Sequence, residues 1–405
     1  MKVNISPKGT TTSKSVILGS QTLTDLENDR KGYIIVSTGL KANEEKSYDL
    51  RIWMDSAVTT EQGLNKNWSG KIVVVSNAAE EPAPAPNGWY EVGNGTLLAS
   101  LRNSIEISEP ITIPGTAIST ADDALLASAV DDYGTSYYFR GAVKNNYVEF
   151  ANKCWRIVRV GGDGSVKLIL HNDNITGVAN PCDSANNSDS AAFARYSGTT
   201  YTSAFNTNYN DNTYVGFMYG QAGASDYATT HANTNKSTIL NNLEIWYNNN
   251  LKTYESLIDN NVFCNDKGRT GIWPGYGTEL TFYDSGTRLS TSGTPSLKCN
   301  GNLSKITGKV GLITADEAAF AGFKTTGNVS LNYLLENTGN ALWWTMTPAG
   351  FYGDAAQVWA ILSGLRSMLQ FSVDNENGFR PYISLKASAS ISGGSGTSED
   401  PYVVK

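Results

Sequence analysis

The chain has 405 residues, of which 17% are charged, with a net charge of −7 and a pI near 5.1. That length exceeds what one ordinary core buries, so two or three domains are expected. No Lys or Arg cluster appears, which makes nucleic acid and anionic membrane poor partners.

With 39 Gly, 21 Tyr and long Asn/Ser/Thr runs, the composition predicts a β-rich protein with extended polar loops. No apolar run approaches the roughly 18 residues of a membrane span, so no direct membrane insertion is expected. The start, Met1-Lys2-Val3-Asn4-Ile5-Ser6-Pro7, lacks the basic and apolar regions of a secretion signal. A cytosolic protein and a trimmed ectodomain, its signal and anchor left out, both fit that start. Low Lys/Glu content, Asn/Ser/Thr/Tyr richness and an even cysteine count favour the extracellular one.

Residues 1–78 carry short apolar runs at 15–18, 33–36, 48–54 and 71–75 between polar turns. Strands at that spacing, without a helical period, predict a small β-sandwich of the Ig-like kind, a stalk domain. Residues 79–95 contain Pro82, Pro84 and Pro86, whose alternation favours extended polyproline geometry and a stiff spacer. Residues 96–130 read as a connector, with a short helix near Thr96 to Leu101.

From 131 to 388 the order is α+β. Trp155 to Val160, then Gly161-Gly162-Asp163-Gly164, then Ser165 to Leu170 predict a hairpin, with Asp-Gly supplying the positive φ of the turn. The polar stretch 172–236 is too long for plain connection and is expected to pack as an insertion. Ile239, Leu243, Trp246, Tyr247, Leu251, Tyr254 and Leu257 recur at helical steps. Thr314-Ala315-Asp316-Glu317 is a capping box, Phe320 the helix anchor and Gly322 its stop. Residues 389–405, Gly- and Ser-rich, read as a linker toward a further module.

Four cysteines permit three pairings. Their order favours two sequential loops, Cys154 to Cys182 and Cys264 to Cys299, each stabilised by roughly 3 kcal/mol if closed. There is no CxxC, no EF-hand spacing in the Asp183 to Asp189 loop and no Gly-x-Ser-x-Gly elbow. No cofactor, metal or catalytic residue is expected, and His171 and His231 read as structural or exposed.

Several spaced stretches carry a resemblance: Tyr137-Tyr138-Phe139-Arg140-Gly141, Trp155-Arg156-Ile157-Val158-Arg159, Gly311-Leu312-Ile313-Thr314-Ala315-Asp316-Glu317, Trp343-Trp344-Thr345-Met346-Thr347-Pro348 and Gly378-Phe379-Arg380-Pro381. Residues 131–386 resemble bacterial, mainly Gram-positive, surface proteins with a C-type-lectin-like fold, and the closing Gly-Phe-Arg resembles the formylglycine-generating-enzyme type. In members diversified by retroelements, the residues between Trp-Trp and Gly-Phe-Arg vary to change ligand. The resemblance therefore implies a variable binding protein, an adhesin of the cell surface. Two departures narrow it. No cysteine follows Cys299, against formylglycine chemistry, and Trp344 is followed by Thr345-Met346 rather than a calcium-lectin motif.

Between those two motifs lie Tyr352, Asp354, Gln357, Trp359, Leu362, Arg366, Met368 and Gln370, types that binding surfaces favour. Alternation sets Leu365, Ser367, Leu369, Phe371 and Val373 on one face, and Arg366, Met368, Gln370 and Ser372 on the other, expected outward one. In the preceding strand, Gln357, Trp359 and Ile361 or Val358, Ala360 and Leu362 face out; the sequence does not choose. Trp359, Leu362 and Met368 form the expected apolar anchor, which favours a protein ligand. The competing readings are an enzyme on this scaffold acting on cell-surface material, and a structural subunit of a surface fibre.

Overall fold

The computed structural model describes residues 2–7, 16–17, 24–26, 30–32, 47–53, 59, 93–104, 106–108, 125–195, 202–269, 271–289, 293–299, 301–325 and 332–405. The strands expected at 33–36 and 71–75, and the prolines of the expected spacer, lie outside the described residues. The chain divides into two compact units, Met1–Pro82 and Ala83–Lys405. It is β-rich, with 33% strand against 21% helix.

In the first unit, Lys2–Pro7 pairs antiparallel with Tyr48–Trp53 along six residues, and Val16–Ile17 adds a third strand. Thr24–Leu26 and Arg30–Gly32 form a separate ribbon.

The second unit opens with helix α1 (Leu97–Ser104). There follow β1 (Glu106–Ser108), β2 (Leu125–Asp131), β3 (Gly134–Phe139), β4 (Tyr147–Phe150), β5 (Lys153–Val160) and β6 (Val166–Asn172). Two late strands complete an eight-stranded sheet, β15 (Tyr382–Leu385) and β16 (Tyr402–Val403). Its order is β15-β6-β5-β3-β2-β1, with β4 joining β5 to β16. The expected β5–β6 hairpin turns at Gly164, φ +82°, closed by Gly161 N–H donating to the Ser165 carbonyl at 2.9 Å.

Two of the segments set apart by composition are built into this unit instead. In the 96–130 connector, β1 and β2 are members of the sheet. In the expected terminal linker, β16 pairs parallel with β4, and Tyr402 is buried with its hydroxyl 2.9 Å from Ser104 Oγ. Gly and Ser enrichment marks turns here, at Gly393, Gly394 and Gly396 with positive φ, rather than free chain.

The second sheet has the order β7-β14-β11-β12-β13, with β9 on β11. Its strands are β7 (Thr202–Ser203), β9 (Thr281–Phe282), β11 (Leu342–Tyr352), β12 (Ala355–Leu362), β13 (Ser367–Ser372) and β14 (Asn377–Gly378). A separate ribbon of β8 (Asn261–Cys264) and β10 (Lys305–Gly308) sets Phe263 edge-on against Tyr382 of β15 in the first sheet. Arg380 ties the two sheets: its buried guanidinium donates to the Leu170 carbonyl at 2.8 and 3.1 Å and to Leu334 at 2.7 Å, and lies over Trp343. Trp343 and Trp344 are both fully buried.

Among the described residues four helices follow α1: α2 (Tyr227–His231), α3 (Thr238–Asn250), α4 (Asp284–Leu289) and α5 (Ala315–Ala321). The amphipathic α3 packs Trp246 edge-on against Trp155 of β5. It ends at Asn250 rather than reaching Leu257, with a 3₁₀ turn at Lys252–Tyr254. Asn248, Asn249 and Asn250 explain the early stop, since Asn side chains compete for backbone hydrogen bonds. On α5, the Thr314–Glu317 capping box and the left-handed Gly322 stop, φ 117°, are both present.

Candidate functional site

The β11–β12 hairpin turns through Gly353 and Asp354, φ 60° and 61°. Two positive-φ residues match the right-handed twist of the strands, and Asp is among the few side chains that tolerate that region. This turn sets one end of the second sheet. On the register, Phe282 lies opposite Gly350, Gly350 opposite Gln357 and Gln357 opposite Ser372, while Trp359 lies opposite Gln370 and Ile361 opposite Met368. Opposed side chains share a face. Of the two strand faces left open by alternation, Gln357, Trp359 and Ile361 thus join Met368, Gln370 and Ser372.

That shared face is only half open. Trp359 is 4% exposed and its indole N–H donates to Ser285 Oγ of α4 at 2.9 Å, while Met368 is 0% exposed. Neither forms an outward anchor, because helix α4 roofs the Trp359 end and the chain at Lys324 lies against Met368, whose N–H donates to the Lys324 carbonyl at 3.0 Å. Leu362 is half-buried on the opposite face. Arg366 is exposed but sits in the turn before β13 with φ 50°, and this residue interrupts the alternation so that Leu365, expected inward, is exposed.

At the open end, Tyr352, Gln357 and Gln370 come together. Gly350 is required there: a Cβ would stand 2.9 Å from Tyr352 Cε1, so the bare backbone lets the ring approach. The ring stacks with Phe282, centroids 5.7 Å apart and planes 24° apart, and Phe282 takes Trp273 edge-on at 5.0 Å. The Tyr352 hydroxyl donates to Gln370 Oε1, and burial pushes its pKa up. Phe282 is 41% exposed and Ile272 92%; Tyr209 and Leu280 are exposed as well. Tyr209 joins this end because its carbonyl accepts from Ala356 N–H at 2.7 Å.

Sequence reasoning missed Trp273, Leu280 and Phe282, which reach the platform from a distant loop. Their one signal is Trp273-Pro274-Gly275-Tyr276-Gly277, aromatic residues in a Gly/Pro context that cannot be core strand.

A second place of interest is a cavity of about 40 Å³ lined by Asp131, Arg159, Lys167, Arg288, Asp316 and Glu317. That volume holds a few waters rather than a sugar or side chain. Its carboxylates are paired: Arg159 with Glu317 at 2.7 Å and Asp131 at 3.0 Å, Arg288 with Asp266 at 2.6 Å and Asp316 at 3.0 Å. Burial raises the Glu317 carboxyl, but Arg159 and Lys167 outweigh it and hold it below its usual value. Lys167 differs. Burial and then Arg159 push its ammonium down to about 8, and its contacts are Ser384 Oγ at 3.4 Å and the faces of Phe263 and Tyr382.

Both disulfides, Cys154–Cys182 and Cys264–Cys299, are formed. Among the described residues no cluster of three metal-ligating side chains occurs and no helix is long and apolar enough to cross a membrane. Both histidines are buried.

No family model, curated protein or solved structure matches the chain.

Proposed function

We propose that the chain is an extracellular ligand-binding protein of the bacterial surface, with an Ig-like amino-terminal module and a C-type-lectin-like carboxyl-terminal module. Its ligand, a protein or other cell-surface partner, contacts the open end of the second sheet. One observation carries this reading. The exposed Phe282 ring stands with Trp273 and Tyr352 at one sheet end beside Gln357 and Gln370, and the chain that leads to it exposes Ile272 and Leu280, while Tyr209, also exposed, is held there by its backbone. Scattered exposed apolar residues need no explanation, whereas a gathered aromatic patch on rigid strands marks a contact surface. The anchor role passes from Trp359, Leu362 and Met368 to Phe282 and Tyr352, with Gln357, Gln370 and Asp354 orienting the partner. Recognition requires no catalytic step here. Two disulfides are compatible with an extracellular setting.

An array of extracellular proteins and glycans, probed with wild type and with a Phe282→Ser/Gln357→Ala variant of unchanged melting temperature, tests this. Hits that the variant loses support the reading; hits that it retains overturn it.

An enzyme on the same scaffold draws on one observation, the buried Lys167 amine beside a cavity. Reductive trapping with a small aldehyde, followed by peptide mapping, tests it: selective labelling of Lys167 supports an amine nucleophile, and uniform labelling of surface lysines removes it.

A further inference from the structure

We infer that the sheet end takes a cationic partner, an Arg- or Lys-bearing segment of another protein. This rests on the ligand-binding reading above and names its chemistry.

Charge is distributed unevenly around the platform. The segments that build it, 271–283, 342–362 and 367–379, contain no Lys or Arg but carry Glu279, Asp354, Asp374 and Glu376; the adjoining Arg269 is engaged by the Trp273 carbonyl and lies over the Tyr227 ring. All four carboxylates are exposed, and none forms an ion pair among the described residues. Three surface carboxylates elsewhere on the unit have basic partners, Glu244 with Lys236 at 2.6 Å, Glu255 with Lys252 at 2.6 Å and Asp132 with Lys305 at 3.3 Å, while Asp189, Asp226 and Glu399 form no ion pair among the described residues but stand apart from one another in the sequence.

The topology brings the acids to one rim. Thr281 lies opposite Phe351 and Tyr352 opposite Ala355, so the chain before β9 leads Glu279 toward the Gly353-Asp354 turn. Val373 N–H donates to the Ala356 carbonyl at 3.0 Å, which brings Asp374 to the same end. Glu279, Asp354 and Asp374 thus come to the sheet end that carries the Phe282 and Tyr352 rings.

A guanidinium or ammonium suits that arrangement twice over. Aromatic faces attract cations, and carboxylates accept their N–H groups. A neutral or acidic partner would leave several like charges facing it without compensation. Arg also offers the planar fork and the stacking that make it common at interface centres.

The probes are a fluorescent peptide of alternating Gly and Arg, its Gly/Glu counterpart and a Gly/Ser peptide, titrated against the full chain. The Arg peptide is expected to bind, and to lose roughly tenfold in affinity in high salt, as an exposed electrostatic contact must. A Glu279→Gln/Asp354→Asn/Asp374→Asn variant should lose roughly tenfold as well, while Glu244→Gln, which lies away from the rim, binds like wild type. No binding of the Arg peptide at millimolar concentration, or equal binding of all three peptides, overturns the inference. So does an unchanged affinity in the triple variant. Array hits lost in Phe282→Ser/Gln357→Ala but retained in the triple amide variant would keep the ligand-binding reading and remove the cationic one.

Discussion

Tyr352 and Gln370 meet across the strand that separates them: the phenol hydroxyl on β11 donates to the carboxamide oxygen on β13. The bond fixes the ring over Gly350 and turns a Tyr that free rotation would leave mobile into part of a surface. Preorganisation of this kind lowers the entropy lost when a partner docks.

Gly350→Ala therefore acts on the platform before it acts on the fold. Its methyl would stand 2.9 Å from Tyr352 Cε1 and 3.1 Å from the Thr281 carbonyl. The ring is expected to swing off Phe282, changing the aromatic proton shifts of both residues, with a stability loss of about 1 kcal/mol. Unchanged shifts would show that the ring does not rest on Gly350.

Trp359→Ala and Met368→Ala are expected to cost about 2–5 kcal/mol each in urea unfolding, as large core truncations do. Gln357→Ala, at the open end of the same face, should cost well under 1 kcal/mol. Equal costs at the three sites would contradict the roofing of this face by α4.

Thr314→Ala removes a side chain that accepts Glu317 N–H at 3.0 Å and should cost about 1 kcal/mol. Glu317→Ala is expected to cost more, about 3–5 kcal/mol, because it also takes a carboxylate from buried Arg159. Urea midpoints of the two variants check the order.

Stability should fall as the solution is acidified from neutrality to about pH 5. Burial holds His231 down to about 3 and His171 well below its ordinary value of 6.5. Both are neutral in the fold, so below pH 6.5 the unfolded chain binds more protons and is favoured. The loss approaches about 1.4 kcal/mol per histidine for each pH unit below 6.5. Urea unfolding at several pH values reads it, and a flat profile over this range would contradict it.

Opening either disulfide by Cys→Ser pairs, across separations of 28 and 35 residues, should cost about 3.5 kcal/mol by release of chain entropy. Thermal melts of Cys154→Ser/Cys182→Ser and Cys264→Ser/Cys299→Ser read the two losses separately.

Local chemistry was the legible part of this chain. The Gly164 turn, the Thr314–Glu317 box, the start of α3 and the two cysteine loops each depend on residues close together in sequence. The platform was legible only in part. Gln370 follows from strand alternation and Tyr352 and Gln357 from residue type, but alternation left the face of Gln357 open; exposure depends on what covers a face, and α4 arrives from residues 284–289. Trp273 and Phe282 reach the site by pairing Thr281–Phe282 with β11, a contact that no local pattern encodes. The strand frame at Leu365 failed because Arg366 adopts a left-handed conformation, where only Gly or Asn would have signalled it.

Hydroxyl-radical footprinting of the full chain, alone and with a partner taken from the array, tests the central claim most directly. The account predicts protection at Trp273, Phe282 and Tyr352, with none at Tyr133 beside the Lys167 cavity. Protection of Tyr133 with the sheet end still fully reactive would contradict it.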